Sequence, residues 1–259
     1  AKYGDRMSSV LDITYARPQK AEASVQASLL GANIYAGLGN RKISLSQGLR
    51  YKTNQYMLGS LETKGEYSPS FLDYQAYLSW TPSEKWTFDL IGYISKNDYN
   101  FKPKDRETNF GTLEDVKSFK VYFDGKEEDL FRTLYGTFKI TRKWERKHAL
   151  SLSASAFNTK ERETYDIQGQ YWLNETTSDK QLGVGTYMEH ARNLLSSQTQ
   201  TFKLTYDFRQ GNHHMQTGLS WRHESISENS REWEYRDSSG YSVPHTGKDL
   251  QVIYNLKSI

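Results

Sequence analysis

Cysteine is absent from the 259 residues, which excludes disulfides, thiolate metal sites and thiol catalysis together. Proline is scarce, with five residues, and none interrupts a predicted strand. No stretch approaches the roughly 18 consecutive apolar residues of a membrane-spanning helix. A dominant charge is also missing, because 34 Lys and Arg face 31 Asp and Glu. Nucleic acid is therefore not an expected partner.

Aromatic residues are plentiful although the chain is polar. They make up 14 % of the sequence, while mean hydropathy is only −0.82. Disordered chains are poor in aromatic residues, so this composition indicates a folded protein. In a transmembrane β-barrel only alternate residues face lipid, and mean hydropathy therefore stays low.

Apolar and polar residues alternate with a period of two along most of the chain. Over residues 72–80, Leu72 and Tyr74 share one face, whereas Asp73 and Gln75 share the other. The alternation recurs over residues 22–29, 43–51, 86–95, 133–141, 150–156, 201–208 and 215–222, and more weakly over 32–38 and 248–258. This is the pattern of a β-strand with two different faces, so we predict an all-β chain.

Short and long connections alternate between the predicted strands. Short turns are predicted at residues 39–41, 82–85, 144–147 and 209–212. Longer polar segments are predicted near residues 52–68, 103–117, 174–194 and 236–247, and residues 187–195 alone fit one or two helical turns. Such alternation is typical of a transmembrane β-barrel. Trp80, Trp86, Trp144 and Phe208 flank the short turns, where aromatic girdles mark a membrane interface.

A soluble β-sandwich or propeller is the alternative fold. The polar face, rich in Ser, Thr, Gln, Asp and Lys, suits a hydrated lumen better. The segments at 118–141, 148–172 and 213–235 also predict strands far longer than the usual five or six residues. We therefore predict an antiparallel transmembrane β-barrel segment of about ten strands.

Several segments resemble one family. They are residues 2–13, which are not amphipathic barrel sequence, and then residues 22–30, 48–54, 65–75 (beginning Gly65-Glu66-Tyr67-Ser68-Pro69), 94–101 and 121–125. In this order they resemble TonB-dependent outer-membrane receptors of the Bacteroidetes type. The resemblance implies that residues 1–18 are the end of a plug domain with its linker, and that residues 19–259 are the first part of the barrel.

The resemblance also implies a function. Receptors of this family bind a nutrient outside the cell and pass it inward when TonB pulls the plug, without covalent chemistry. They close about 22 strands around the plug, so about ten strands imply part of a larger barrel in the outer membrane. The implied partners are the lipid, the rest of the barrel and plug, the TonB complex through a missing N-terminal part, and a surface lipoprotein.

No catalytic, metal or cofactor site is predicted, and the chain is not expected to be an enzyme. His213 and His214 are adjacent on a strand and point to opposite faces, so they do not share one ion. The acidic residues at 127–129, together with Glu161 and Glu163, are interpreted as a solvated face.

Aromatic residues near the long loops are the candidate substrate contacts. Tyr171 and Trp172 precede one loop, Trp233 and Tyr235 precede another, and Tyr241 lies inside it. Exposed aromatic rings stack on sugars or pack on peptides. The alternative is that these rings pack on each other or on the plug.

Other functions stay open at this point. One is a complete small outer-membrane barrel, such as a ten-stranded protease with carboxylates and a His near its outer rim. Another is a soluble carbohydrate-binding β protein. For a transporter, the cargo is an oligosaccharide, a siderophore or a peptide, because fold analogy does not identify it.

The alternation assigns individual side chains to the two sides of the sheet. The residues predicted to face lipid are Leu72, Tyr74, Leu78, Phe88, Leu90, Phe138, Leu152, Leu204 and Leu219. Those predicted to face the lumen are Asp73, Gln75, Asp89, Ser151, Ser153, Lys203 and Gln216. The strands near residues 25 and 252 are predicted not to pair, and Arg50 is expected to pair with a plug carboxylate.

Overall fold

A computed structural model describes residues 12–59, 65–112, 114–145, 147–176, 178, 180–237 and 251–258. These residues form one antiparallel sheet of 12 strands with a single short helix. The strands are β1 (Glu22–Ser28), β2 (Gly31–Gly39), β3 (Ile43–Thr53), β4 (Gly65–Tyr67), β5 (Ser70–Ser83), β6 (Trp86–Pro103), β7 (Arg106–Gly111), β8 (Val116–Trp144), β9 (His148–Glu175), β10 (Lys180–Gln210), β11 (His213–Asp237) and β12 (Gln251–Ser258), and the helix is α1 (Gln55–Gly59). The predicted all-β chain is confirmed.

The strands follow one another across the sheet in the order β1-β2-β3-β5-β6-β8-β9-β10-β11-β12. Two short strands lie off this path, since β4 pairs with β6 and β7 pairs with β8. Within the described residues β1 pairs only with β2 and β12 only with β11. The prediction that these two strands do not meet is therefore confirmed, and the sheet is not closed into a barrel.

The four predicted short turns all lie at one end of the sheet, which we call the turn end. They join β2 to β3, β5 to β6, β8 to β9 and β10 to β11. At the opposite end, the loop end, α1 and β4 fill part of the predicted loop at 52–68, and β7 fills part of that at 103–117. Most of the predicted loop at 236–247 lies outside the described residues.

Two expectations about residues 174–194 are wrong. No long loop occurs there, because β9 runs to Glu175 and β10 begins at Lys180. No helical turn forms at 187–195, which is strand in the middle of β10. Pairing with β9 on one side and β11 on the other satisfies this backbone and overrides the weak local preference for a helix.

The sheet has one polar and one apolar face, and the polar face is the more covered one. Asp73 and Ser79 are 7 % and 3 % exposed, whereas Leu72 is 46 % and Leu219 75 % exposed. We call the face with Asp73 the polar face and the face with Leu72 the apolar face. The predicted division of side chains between two faces is confirmed by this contrast, which is the reverse of a soluble protein's.

The apolar face carries its hydrophobic residues in a band next to the turn end. The band runs from Trp86 to Ile94 on β6, from Leu134 to Trp144 on β8, and from His148 to Ala156 on β9. Phe202 to Phe208 of β10 continue it in register. We call this the apolar band.

Aromatic rings line the turn-end border of the apolar band. The Trp80 and Phe88 rings stack with centroids 5.2 Å apart. Trp144 stacks on His148 at 5.4 Å, and His148 in turn contacts Phe208 at 4.9 Å. The residues predicted to flank the turns thus form an aromatic row at the turn end, in one stacked group on β5 and β6 and a second on β8, β9 and β10.

The segment before β1 lies against the polar face. Arg17 donates to the Asp89 carboxylate at 2.9 Å and to the Tyr77 hydroxyl at 3.0 Å. Gln75 hydrogen-bonds Tyr15, whose ring lies 5.0 Å from that of Tyr77. Of the predicted plug end at 1–18, only residues 12–18 are described, and they have no regular secondary structure.

Arg50 has a partner on its own sheet. Its Nε donates to the Asp73 Oδ2 at 2.8 Å, directly across the pairing of β3 with β5. The guanidinium also lies 5.0 Å from the centroid of Phe71. The expected plug carboxylate is therefore replaced by a cross-strand ion pair on the described part of the chain.

A backbone feature of β8 gives the first prediction. Gly125 lies between the stretch paired with β7 and the stretch paired with β6, and its φ is 107°. A side chain there would be strained and would overlap the Asp166 carbonyl. We expect Gly125→Ala to lower the free energy of unfolding by about 1–3 kcal/mol, measured by urea unfolding.

The matched control is Gly92→Ala in β6, where an added Cβ meets no atom within 4 Å. We expect this change to alter the free energy of unfolding by no more than about 0.5 kcal/mol. Equal losses for both variants would show that the left-handed backbone at Gly125 is not required.

Candidate functional site

The two faces separate charge where β8 to β11 extend beyond the apolar band. On the polar face this extension is acidic, whereas on the apolar face basic residues outnumber the acids Asp124, Glu128 and Asp166. The polar-face residues are Glu127, Asp129, Glu161, Glu163, Glu189, Glu228 and Glu232, and those on the other face are Lys126, Arg132, Lys160, Arg162, Arg192 and Arg231. The candidate site is the acidic side, because its carboxylates converge.

Neighbouring strands hold these carboxylates at the same level. Asp129 of β8 pairs directly with Glu163 of β9, which pairs with Asn193 of β10. The Asn193 amide donates to the Glu163 Oε2 at 2.9 Å and to the Glu232 Oε1 at 2.6 Å. One amide thus joins carboxylates from β9 and β11. We call Glu127, Asp129, Glu163 and Glu232 the acidic cluster.

The acidic cluster is strained electrostatically. Burial and the neighbouring Asp129 raise the pKa of Glu127, and burial and Glu163 raise the pKa of Asp129. Tyr165 follows Glu163 as the next residue of β9 on the same face. Its pKa is raised to about 12, chiefly by burial and further by the charges of Glu232 and Glu163. The interpretation of these acids as a merely solvated face is therefore incomplete, since like charges and partial burial both act on them.

This arrangement suits a bound positive charge. Glu127, Asp129 and Glu163 each offer a carboxylate oxygen within 4.8 Å of the others, which is the donor type that hard cations prefer. Tyr99 and Phe101 of β6 are in register with Asp129 and Glu127 and add rings beside the carboxylates. A cationic group placed here would gain both charge pairing and contact with aromatic faces.

A second cluster lies on the apolar face at the same level. His190 and Arg192 both hydrogen-bond the Asp166 carboxylate. Trp233 stacks on the His190 ring with centroids 4.3 Å apart. Burial opposes ionisation of Asp166, but the hydrogen bonds from Arg192 and His190 outweigh it and lower its pKa. The carboxylate is thus neutralised within its own cluster.

The predicted substrate contacts do not form one group. Tyr171 lies on the polar face, 6.1 Å from Phe119, while Trp172 lies on the opposite face. Trp233 and Tyr235 share the apolar face and pair with His190 and Met188. Tyr241 lies outside the described residues.

The sequence did not predict either cluster, although the alternation of residues along each strand already placed the acids on common faces. Glu161 and Glu163 share a face by spacing, as do Glu127 and Asp129. What the sequence did not provide was the register that places β8 beside β9 and β9 beside β10. His190 was hidden because its segment was interpreted as a loop.

Comparison of the chain with protein-family models, with curated proteins and with solved structures found no match. Within the described residues, no helix is long and apolar enough to cross a membrane.

Protonation of the acidic cluster gives the second prediction. Folding raises the pKa values of Glu127 and Asp129, so their ionised forms oppose folding above the folded pKa values. This penalty disappears as the pH falls below the unfolded pKa values of about 4. We expect the opening free energy of β8 and β9, measured by hydrogen exchange, to rise on acidification from neutral pH.

Glu163→Gln removes one of the like charges and should shrink this pH dependence. Glu84→Gln, in the exposed turn between β5 and β6, serves as the control and should leave it unchanged. The same pH dependence in all three proteins would contradict the assignment to the acidic cluster.

Proposed function

We propose that the chain is part of an outer-membrane uptake receptor, in which the sheet spans the bilayer and the acidic cluster receives a cationic nutrient. The observation that carries this proposal is the inverted distribution of polarity, with covered serines and the covered Asp73 carboxylate on one face and exposed leucines on the other. In water such a face would be a large exposed apolar patch that needs a partner. In this proposal, lipid is the partner that covers the whole apolar band.

The length of the apolar band supports this partner. It covers residues 86–94 of β6 and 134–144 of β8. A transmembrane β-strand needs about 9–11 residues to cross the hydrocarbon, so both strands match. The aromatic row at the turn end then lies where interfacial rings are usually found.

The open edges and the resemblance support a larger assembly. A sheet edge in lipid leaves backbone groups unsatisfied, at several kcal/mol each. We therefore propose that β1 and β12 pair with further barrel strands, as in the TonB-dependent receptors that the sequence resembles. In that arrangement Tyr15 and Arg17 tie the segment before β1 to the inside of the wall.

The negative charge on the polar face narrows the range of cargo that this receptor would take. Among an oligosaccharide, a siderophore and a peptide, the acidic cluster favours a solute that carries positive charge, such as a basic peptide. Four carboxylates with two raised pKa values gain from a cation, whereas a neutral sugar leaves their repulsion in place. A protease is less favoured, because Asp166 and His190 lie on the face opposite to the acidic cluster.

The third prediction tests whether the apolar band lies in lipid. Leu152, in the middle of the apolar band of β9, is 50 % exposed. In lipid, Leu152→Arg should lower stability by roughly 2–4 kcal/mol, measured by reversible unfolding from vesicles. The neighbouring Ser151→Arg, on the polar face, is the control and should be much milder. A nearly neutral Leu152→Arg would mean that this face lies in water.

The fourth prediction tests the cargo. Glu127→Gln should weaken binding of a basic peptide to the reconstituted protein by about two- to tenfold, since one partly buried charge is lost. Glu128→Gln is the matched control, because Glu128 is adjacent in sequence, points to the other face and is ion-paired with Lys126. Isothermal titration with a basic and an acidic peptide measures the effect; equal binding of both peptides would refute the charge argument.

A further inference from the structure

A basic groove lies on the apolar face, on the loop-end side of the apolar band. It encloses about 530 Å³ and is lined by Arg132, Lys160 and Arg162 together with Leu130 and Leu194. Direct register places Arg132 beside Lys160, and Leu130 beside Arg162. Three cations from two neighbouring strands therefore open onto one depression with apolar sides.

The cations of this groove have no close ion pair within the described part of the chain, although Glu128, already paired with Lys126, interacts electrostatically with Arg162. Arg50, Arg192 and Lys96 each hold a carboxylate within 4.0 Å. Among the described residues, no such ion pair involves Arg132, Lys160 or Arg162. Glu161 also borders the groove, but the register places its side chain on the polar face, so the side chains on the groove's own face include three positive charges.

The position of the groove identifies the kind of anion. On β8, Arg132 is the next residue on the same face after Leu134, which ends the apolar band. If the band lies in hydrocarbon, the groove lies at the level of the lipid head groups, with leucines beside the charges. We propose that this groove binds the phosphate of an anionic lipid head group in the leaflet at the loop end.

Chemistry and geometry agree on this ligand. Arginine offers a planar pair of donors that matches phosphate oxygens, and lysine adds a mobile point charge. Leu130 and Leu194 can contact the upper part of the acyl chains. The acidic cluster lies on the other side of the same strands, so an anionic lipid in the groove does not compete with a cationic cargo.

The test uses the full chain in vesicles of phosphatidylcholine, with or without a phosphorylated anionic lipid, and measures lipid bound to the protein by native mass spectrometry. We expect the wild type to retain the anionic lipid selectively. Arg132→Gln with Lys160→Gln should weaken retention about thirtyfold, since each basic residue at an anionic surface contributes roughly a factor of five. Added salt should reduce retention by the wild type.

The matched control is Lys139→Gln with Lys203→Gln, which removes the same charge from the polar face of β8 and β10. Equal loss in both double variants would overturn the groove as the binding site. Displacement of the lipid by millimolar inorganic phosphate would show that the groove takes free phosphate, and would overturn the assignment to a lipid head group. The inference rests on the membrane part of the proposed function. A protein that does not enter even neutral vesicles refutes both, whereas entry without preference for the anionic lipid refutes the groove alone.

Discussion

The pleat of the β-strand is the constraint on which the rest of this structure depends. Each strand sends successive side chains to opposite sides. The pairing of β8 with β9 keeps one register over almost thirty residues, and that of β9 with β10 shifts only between Gln181 and Gly183, far from the apolar band. A single one-residue slip would exchange Leu152 and Ser153 between faces. The separation of lipid-like and water-like surfaces, and of acid and base, therefore rests on backbone hydrogen bonds.

The same constraint explains why charge accumulates on both faces. A sheet of one layer has no interior in which to bury a core, and the buried residues Tyr77, Val121 and Ala191 are scattered over three different strands. Stability then comes from the backbone hydrogen bonds between strands, from cross-strand side-chain pairs such as Arg50 with Asp73, and from contacts between each face and the medium around it. Each face is free to match a different medium.

Much of the fold could be read from the sequence because it is a local property. The signals for a strand or a turn act within a few positions along the chain. The strands predicted from alternation over residues 72–80 and 150–156, and the turn predicted at 209–212, were therefore correct. The segment at 187–195 failed because its strand state comes from two neighbours far away in sequence. The acidic cluster was missed for the same reason, since it depends on how β8, β9, β10 and β11 align. Tyr171 and Trp172 were grouped although adjacent strand residues point apart, so that error could have been avoided.

The extreme length of the central strands has a consequence for how the charged surfaces influence one another. Residues 116–133 of β8 lie beyond the apolar band, and at about 3.3 Å per residue they reach roughly 60 Å past it along the strand. Val116, at the far end of β8, lies 14 residues, or roughly 46 Å, along the strand from Leu130, which lines the basic groove. That is more than five screening lengths at physiological salt, where the Debye length is about 8 Å. Anionic head groups would therefore act on charges close to the apolar band, Asp129 among them, and hardly at all on charges at the loop end of the sheet.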